Sequence, residues 1–229
     1  MGPALLGDRE AVGELYLSYA PALLAYLRHK GNSPEEAMEL LQGFFEHLLE
    51  TDGLGKYEKK GKFRSWLLRG LSNFATDVWR KGQAKKKGEG RIHARVGVDV
   101  EIGELEPIDS QLTPEQAYDR KWAISLLRRV LSKLAGEYAD EDRSALFDAI
   151  KRFLPGGDAS VKYEEISATL GMKPNTVAVM VKRLRERYTG LLWAEVADTV
   201  EPYQIEEEWL HLYEALRGAR ELGSVSRNP

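Results

Sequence analysis

Apolar positions recur along most of this chain at intervals of three and four residues, the period of a helix face. The clearest stretch runs from Tyr163 to Tyr188. Ile166 and Leu170 lie four apart and predict a first helix, which Gly171 closes by supplying a left-handed residue. Pro174 sits where a second helix would start, its missing N–H costing nothing there. In that second helix Val177, Val181, Leu184 and Tyr188 form an apolar stripe, while Asn175, Thr176, Lys182, Arg183 and Arg185 lie mostly off it. An apolar back and a basic, amide-bearing front is the form of a helix-turn-helix that lays its second helix in the major groove. An ordinary surface helical hairpin is the other reading of the same pattern.

The rest of the chain predicts further helices. Between Asp8 and His29, Val12, Leu15, Tyr16, Tyr19, Leu23, Tyr26 and Leu27 mark a core-facing helix that Pro21 is expected to kink or divide. Ser33-Pro34-Glu35-Glu36 is a capping box, and the helix it starts continues through Ala37, Leu40, Leu41, Phe44, Phe45, Leu48 and Leu49. Glu35, Glu36, Glu39, Gln42 and Glu46 fill its other faces, either as a solvated surface or as a docking surface for a basic partner. After a glycine-rich turn, residues 62–82 interleave Phe63, Trp66, Leu67, Leu71, Phe74, Val78 and Trp79 with Arg64, Arg69, Arg80 and Lys81. These aromatics fit a core; beside so many cations they also fit a surface that stacks single-stranded bases and holds phosphates. Thr113-Pro114-Glu115-Gln116 is a second capping box, opening a helix toward Tyr138, and Ser144 to Leu154 is a shorter amphipathic piece stopped by Pro155-Gly156-Gly157. Beyond Tyr188, Leu191, Leu192, Trp193, Val196 and Val200 precede Pro202 and a last helix with Ile205, Trp209, Leu212, Tyr213 and Leu216.

Composition narrows the function classes. The 229 residues suffice for one large or two small cores, and the absence of cysteine excludes disulfides and thiolate metal sites. His29, His47, His93 and His211 are too scattered for a ligand cluster, so no metal or other cofactor is expected. No apolar run approaches membrane-spanning length and no basic-then-apolar leader opens the chain, so membrane insertion is not expected and a cytoplasmic location is. The formal charge of −3 would disfavour nucleic acid if it were spread evenly, but basic residues concentrate in 56–95 and 173–187. Screening limits each charge to roughly 8–10 Å, so local patches decide groove contact. No glycine-rich phosphate loop and no nucleophile with a histidine partner is present, so an enzyme is not expected.

Taken in order, LYLSYAPALLAYL, SPEEAMELLQGFFEHLLE, GKFRSWLLRGLSNFATDVWRK and, after a linker, YEEISATLGMKPNTVAVMVKRLRERY resemble an RNA polymerase sigma factor of the extracytoplasmic-function (ECF) type. The resemblance implies an all-α protein of two compact helical domains: a sigma domain 2-like part at 8–87, a linker at 88–112 and a helix-turn-helix, sigma domain 4-like part at 113–189. A C-terminal helical extension at 190–220 follows. The implied partners are core RNA polymerase and promoter DNA, with an anti-sigma factor or other regulator as a further class. Carried across, Glu39, Leu40, Gln42 and Phe45 fall on the helix that grips the polymerase's largest subunit. Phe63, Arg64, Trp66, Asn73, Asp77 and Arg80 fall where the family melts and reads the minus-ten element. Lys173, Asn175, Thr176, Lys182, Arg183 and Arg185 are the candidates for the minus-thirty-five element, with Lys182 and Arg183 toward phosphate and Asn175 and Thr176 toward base edges. Catalysis would belong to the polymerase.

In the linker, Asp99, Glu101, Glu104 and Glu106 suit either a cationic channel or plain solubility, and the basic run at 81–90 suits either a solvated tail or added phosphate contacts. The extension carries Glu195, Asp198, Glu201, Glu206, Glu207, Glu208 and Glu214; it is expected to pack on the helix-turn-helix or to hang as a tail. Beside those two readings, the acidic hairpin would regulate, covering the basic recognition surface or binding a partner. A stand-alone helix-turn-helix regulator that works without polymerase is the competing function; it would need no strand-capturing first domain.

Overall fold

A computed structural model of the chain describes residues 3–55, 57, 61–85, 108–157, 160 and 162–225. Among them are eight α-helices and no strand: α1 (Pro3–His29), α2 (Pro34–Glu50), α3 (Phe63–Lys85), α4 (Pro114–Asp140), α5 (Ser144–Ile150), α6 (Tyr163–Leu170), α7 (Pro174–Ala197) and α8 (Ile205–Val225). Short 3-10 turns at Lys151–Phe153 and Pro202–Gln204 complete them. The all-α expectation holds. No helix among the described residues is long and apolar enough to cross a membrane. Most of the linker and the end of the basic run, with Asp99, Glu101, Glu104 and Glu106, lie outside the described residues.

The helices gather into two compact units. The first comprises the chain up to Ser125 together with everything from Thr199 on; the second is Leu126–Asp198. In the first, α1, α2 and α3 bury Tyr16, Tyr19, Leu23, Leu24, Leu27, Leu41, Phe44, Leu67 and Leu71. Pro21 lies inside α1 without dividing it, because the residues on either side of it are packed in this core. Both capping boxes form as their sequences require. Ser33 Oγ accepts from the Glu36 amide at 3.1 Å and the Glu36 carboxylate accepts from the Ser33 amide at 2.8 Å; Thr113 and Gln116 repeat the pattern at 3.2 and 2.9 Å. Helices α2 and α3 approach closely through two glycines: a methyl group at Gly43 would meet the Phe74 ring at 3.2 Å, and one at Gly70 the Phe44 ring at 3.3 Å.

The second unit buries Val130 and Leu134 of α4, Leu146, Phe147 and Ile150 of α5, Ile166 of α6, and Val177, Val181, Leu184 and Tyr188 of α7. Helix α7 does not end near Tyr188. Leu192 and Val196 prolong its buried stripe by two more turns, and Glu195 pairs with Arg129, at 3.5 Å, and with Lys133. The C-terminal extension expected from 190 onward is therefore two things: up to Ala197 the end of α7, and beyond Thr199 a part of the first unit.

Candidate nucleic-acid and polymerase interface

Helix α3 has buried residues in its first half and is bare from Thr76 to Gly82. Leu67 and Leu71 have no exposed surface, whereas every residue from Thr76 to Gly82 is exposed, Trp79 to 65%. A helix whose last turns carry Val78 and Trp79 into solvent, next to Arg80 and Lys81, has left apolar and cationic surface together without covering either. Asn73, Asp77 and Arg80 follow one another at four and three residues, hence on one face, and all three are exposed. The Asp77–Arg80 contact, at 4.0 Å between largely exposed groups, is too weak to withhold either from a partner.

Phe63 and Trp66, at the other end of α3, are half-buried. Tyr57 wedges against both, with ring centroids 5.0 and 5.1 Å away, the two rings are 5.4 Å from each other, and Tyr19 meets Phe63 edge-on at 5.6 Å. The Tyr57 hydroxyl donates to the Gly61 carbonyl at 2.8 Å and so closes the turn before α3. These rings form a fixed cluster with part of its surface open rather than a set of free platforms.

Arg64 is where the geometry departs most from expectation. Its side chain is 9% exposed; Nε and Nη2 donate to Glu208 of α8, the second at 3.3 Å, and Nη1 donates to Asp119 of α4 at 2.7 Å. Its guanidinium also lies 5.1 Å from the Trp122 ring. With every edge of the fork engaged and water excluded, Arg64 presents no open donor at the surface. Phe45 departs similarly: it is 3% exposed and packs edge-on against Tyr16, at 4.9 Å, so it supports α2 from within. Glu39 of the same helix is exposed, and Leu40 and Gln42 are half-buried.

In the second unit α6 and α7 meet at a tight corner. Gly171 takes φ 64° and ψ 28°, Lys173 is extended, and Pro174 opens α7. The buried Ser167 locks the corner: its hydroxyl donates to the Met172 carbonyl while its own carbonyl accepts from the Met172 amide at 3.0 Å. Lys173, Asn175, Thr176, Lys182 and Arg183 are all exposed. Lys182 lies 3.7 Å from Glu186, one turn on, an exposed pair that water screens. Arg185 is exposed as well, and its Nε and Nη2 donate to the Phe153 carbonyl at 3.1 and 2.9 Å, tying α7 to the turn after α5. Arg187 similarly pairs with Glu137 of α4 at 2.5 Å, and that contact holds the Glu137 carboxyl below its ordinary range.

One reading the sequence left open is decided, and one feature escaped it. Trp79, which fitted either a core or a base-stacking surface, is exposed. The partners of Arg64 stand 55 and 144 positions away, beyond any local pattern.

Comparison with known families agrees with the first unit. Residues 15–85, most of α1 with all of α2 and α3, match the family model for sigma-70 region 2, a transcription-initiation family. The match covers less than half of the chain and leaves α4 to α8 outside it. No curated protein and no solved structure matches the chain.

Proposed function

We propose that this chain is a sigma factor of the extracytoplasmic-function type, which binds core RNA polymerase in the cytoplasm, recognises promoter DNA and starts transcription. The observation that carries the reading is that the stretch similar to sigma-70 region 2 closes on α3, the helix whose last turns stand bare with Trp79, Arg80 and Lys81. Opening a promoter means unstacking bases, at a few kcal/mol per step, and recovering that cost by capturing the freed bases and phosphates on protein. Asn73, Asp77, Trp79 and Arg80 are the capturing face in this reading, with the open edges of Phe63 and Trp66 behind them. Glu39, Leu40 and Gln42 on α2 are the polymerase contacts.

The helix-turn-helix of α6 and α7 takes the minus-thirty-five element. Asn175 and Thr176 stand at the helix start, the part that enters a major groove first, while Lys173, Lys182 and Arg183 supply phosphate contacts that fix its register. Arg64 and Phe45, both buried, drop out of the contact set and act as supports, while the exposed Arg185 stays a candidate beside Lys182 and Arg183. No group of this chain is asked to make or break a covalent bond, and no cofactor is invoked. An anti-sigma factor or other regulator is a partner class that follows from the same reading.

Run-off transcription with purified bacterial core polymerase, on a pool of promoter fragments from the source genome, tests the proposal. Start-site-specific transcripts that need the protein are expected. Duplex binding without polymerase, and no such transcript, would replace the reading by a stand-alone helix-turn-helix regulator.

A further inference from the structure

Residues 62–64, at the start of α3, collect a set of contacts from the far end of the chain. Lys62 Nζ lies 2.8 Å from a Glu207 oxygen and 3.2 Å from Glu208. The Phe63 amide donates to the Thr199 carbonyl at 3.2 Å. Arg64 is held by Glu208 and Asp119, and the buried Tyr118 hydroxyl donates at 3.0 Å to the carbonyl of Arg64 itself. The other Asp119 oxygen lies 3.1 Å from Nε2 of His211, which brings α8 close to α4 at this point. Glu208 is wholly buried, and Leu212, one turn further along α8, is 3% exposed.

A guanidinium fork gripped by two carboxylates, on a residue whose own carbonyl and preceding amide are also bonded, fixes both the position and the rotation of the helix turn that bears it. Two residues later stands Trp66, and on the same helix the bare end that the proposed function assigns to strand capture. We infer that Glu208 is a positioning residue for promoter opening, so that α8, outside the sigma-70 region 2 match, is a working part of the first unit and not a detachable appendage. The inference rests on the proposed sigma function. The opposite role, an acidic inhibitor that competes with DNA for Lys62 and Arg64, requires α8 to leave readily. The complete burial of Glu208 and the packing of Leu212 oppose that, since departure would break a desolvated charge network and uncover an apolar contact together.

Glu208→Gln keeps the side-chain volume and removes the charge. In the full chain with core polymerase it is expected to leave closed-complex affinity within about twofold and to slow strand opening, read by 2-aminopurine fluorescence at the minus-ten element, by about tenfold. The double variant Arg64→Met with Glu208→Leu replaces the pair by apolar groups of similar size and leaves Asp119 in contact with water, its side chain being 23% exposed. It is expected to recover opening to within about threefold of the parent, because buried pairs often yield to apolar substitutes and Arg64 is needed for placement only. Hydrogen exchange on the free protein supplies a readout that needs no polymerase. In Glu208→Gln the amides of the first turns of α3 should exchange faster while those of α7 do not change. Opening by Glu208→Gln as fast as the parent or faster, unchanged exchange in α3, or a double variant no better than Arg64→Met alone would each overturn the inference. A parent protein that opens no promoter at all would defeat the sigma reading, and the exchange result would then still decide whether α8 positions α3.

Discussion

Trp79→Ala separates capture of bases from stability more cleanly than any other change in the first unit. The side chain is 65% exposed, so truncation removes little packing, and the stability change is expected to stay within about 0.5 kcal/mol, the range of ordinary surface substitutions. Its proposed work is stacking. Base–aromatic stacking contributes about 1–3 kcal/mol per base, and a factor of ten in affinity corresponds to about 1.4 kcal/mol, so the variant should lose roughly 5- to 150-fold in affinity for single-stranded DNA. The assay is fluorescence anisotropy with core polymerase present, comparing an oligonucleotide that carries the non-template minus-ten strand with a closed duplex of the same sequence. The loss should fall on the single strand, with duplex affinity nearly unchanged and the thermal midpoint retained. Equal loss on both substrates would place Trp79 at the phosphate backbone, and no loss on either would refute its role in capture.

Three further predictions concern the rest of the molecule. Lys182→Ala should reduce the slope of log affinity against log salt for duplex DNA by about 0.9, the contribution of one phosphate contact, with no stability change beyond the surface range; an unaltered slope would remove Lys182 from the interface. Leu184 is wholly buried in α7, so Leu184→Ala should cost about 2–5 kcal/mol in urea unfolding of the second unit and abolish with it the DNA binding proposed for α7; a loss of binding at full stability would mean that Leu184 touches DNA instead. Burial pushes the hydroxyls of Tyr16, Tyr118, Tyr138 and Tyr188 above their ordinary range, Tyr118 furthest. The folded state therefore holds these protons more tightly than the unfolded chain, and the stability so gained is present below pH about 10 and lost as pH rises through the folded values. Urea midpoints measured across the alkaline range should fall, and less steeply in Tyr118→Phe; parallel curves for the two proteins would show that Tyr118 is not the group responsible.

Local chemistry was legible in the sequence wherever a short segment decides its own conformation. The two capping boxes, Gly171 in the left-handed region and Pro174 at the start of α7 all stand where their side chains and backbone preferences place them. The stripe Val177, Val181, Leu184 and Tyr188 is buried as its period requires. What the pattern could not supply is which apolar surfaces find a cover. Val78 and Trp79 continue the periodicity of Leu67 and Leu71, but α3 outruns the core that covers its first half. Phe45 and Arg64 have the residue types of contact groups, and tertiary neighbours withdraw each of them, Tyr16 in the first case and Glu208 with Asp119 in the second. The acids of the last helix read as a uniform charged face, yet Glu208 is buried and Glu207 is exposed, a distinction that only the position of Lys62 and Arg64 creates.

The same fact reorders how the C-terminal part of the chain is to be probed. A truncation after α7 would remove Thr199, Glu207 and Glu208 from the start of α3, so loss of activity on truncation reports damage to the first unit and not release of a regulator. Point changes at Glu208 and on the exposed face of α8 keep the two causes apart.

In the proposed function the first unit opens promoter DNA in partnership with polymerase. Its most direct test places 2-aminopurine at the minus-ten element of a promoter recovered by run-off transcription, and follows fluorescence with core polymerase alone, with the protein alone and with both. A rise is expected only with both, diminished in Trp79→Ala. A rise with core polymerase alone, or no rise with both while the protein still binds the duplex, would contradict it.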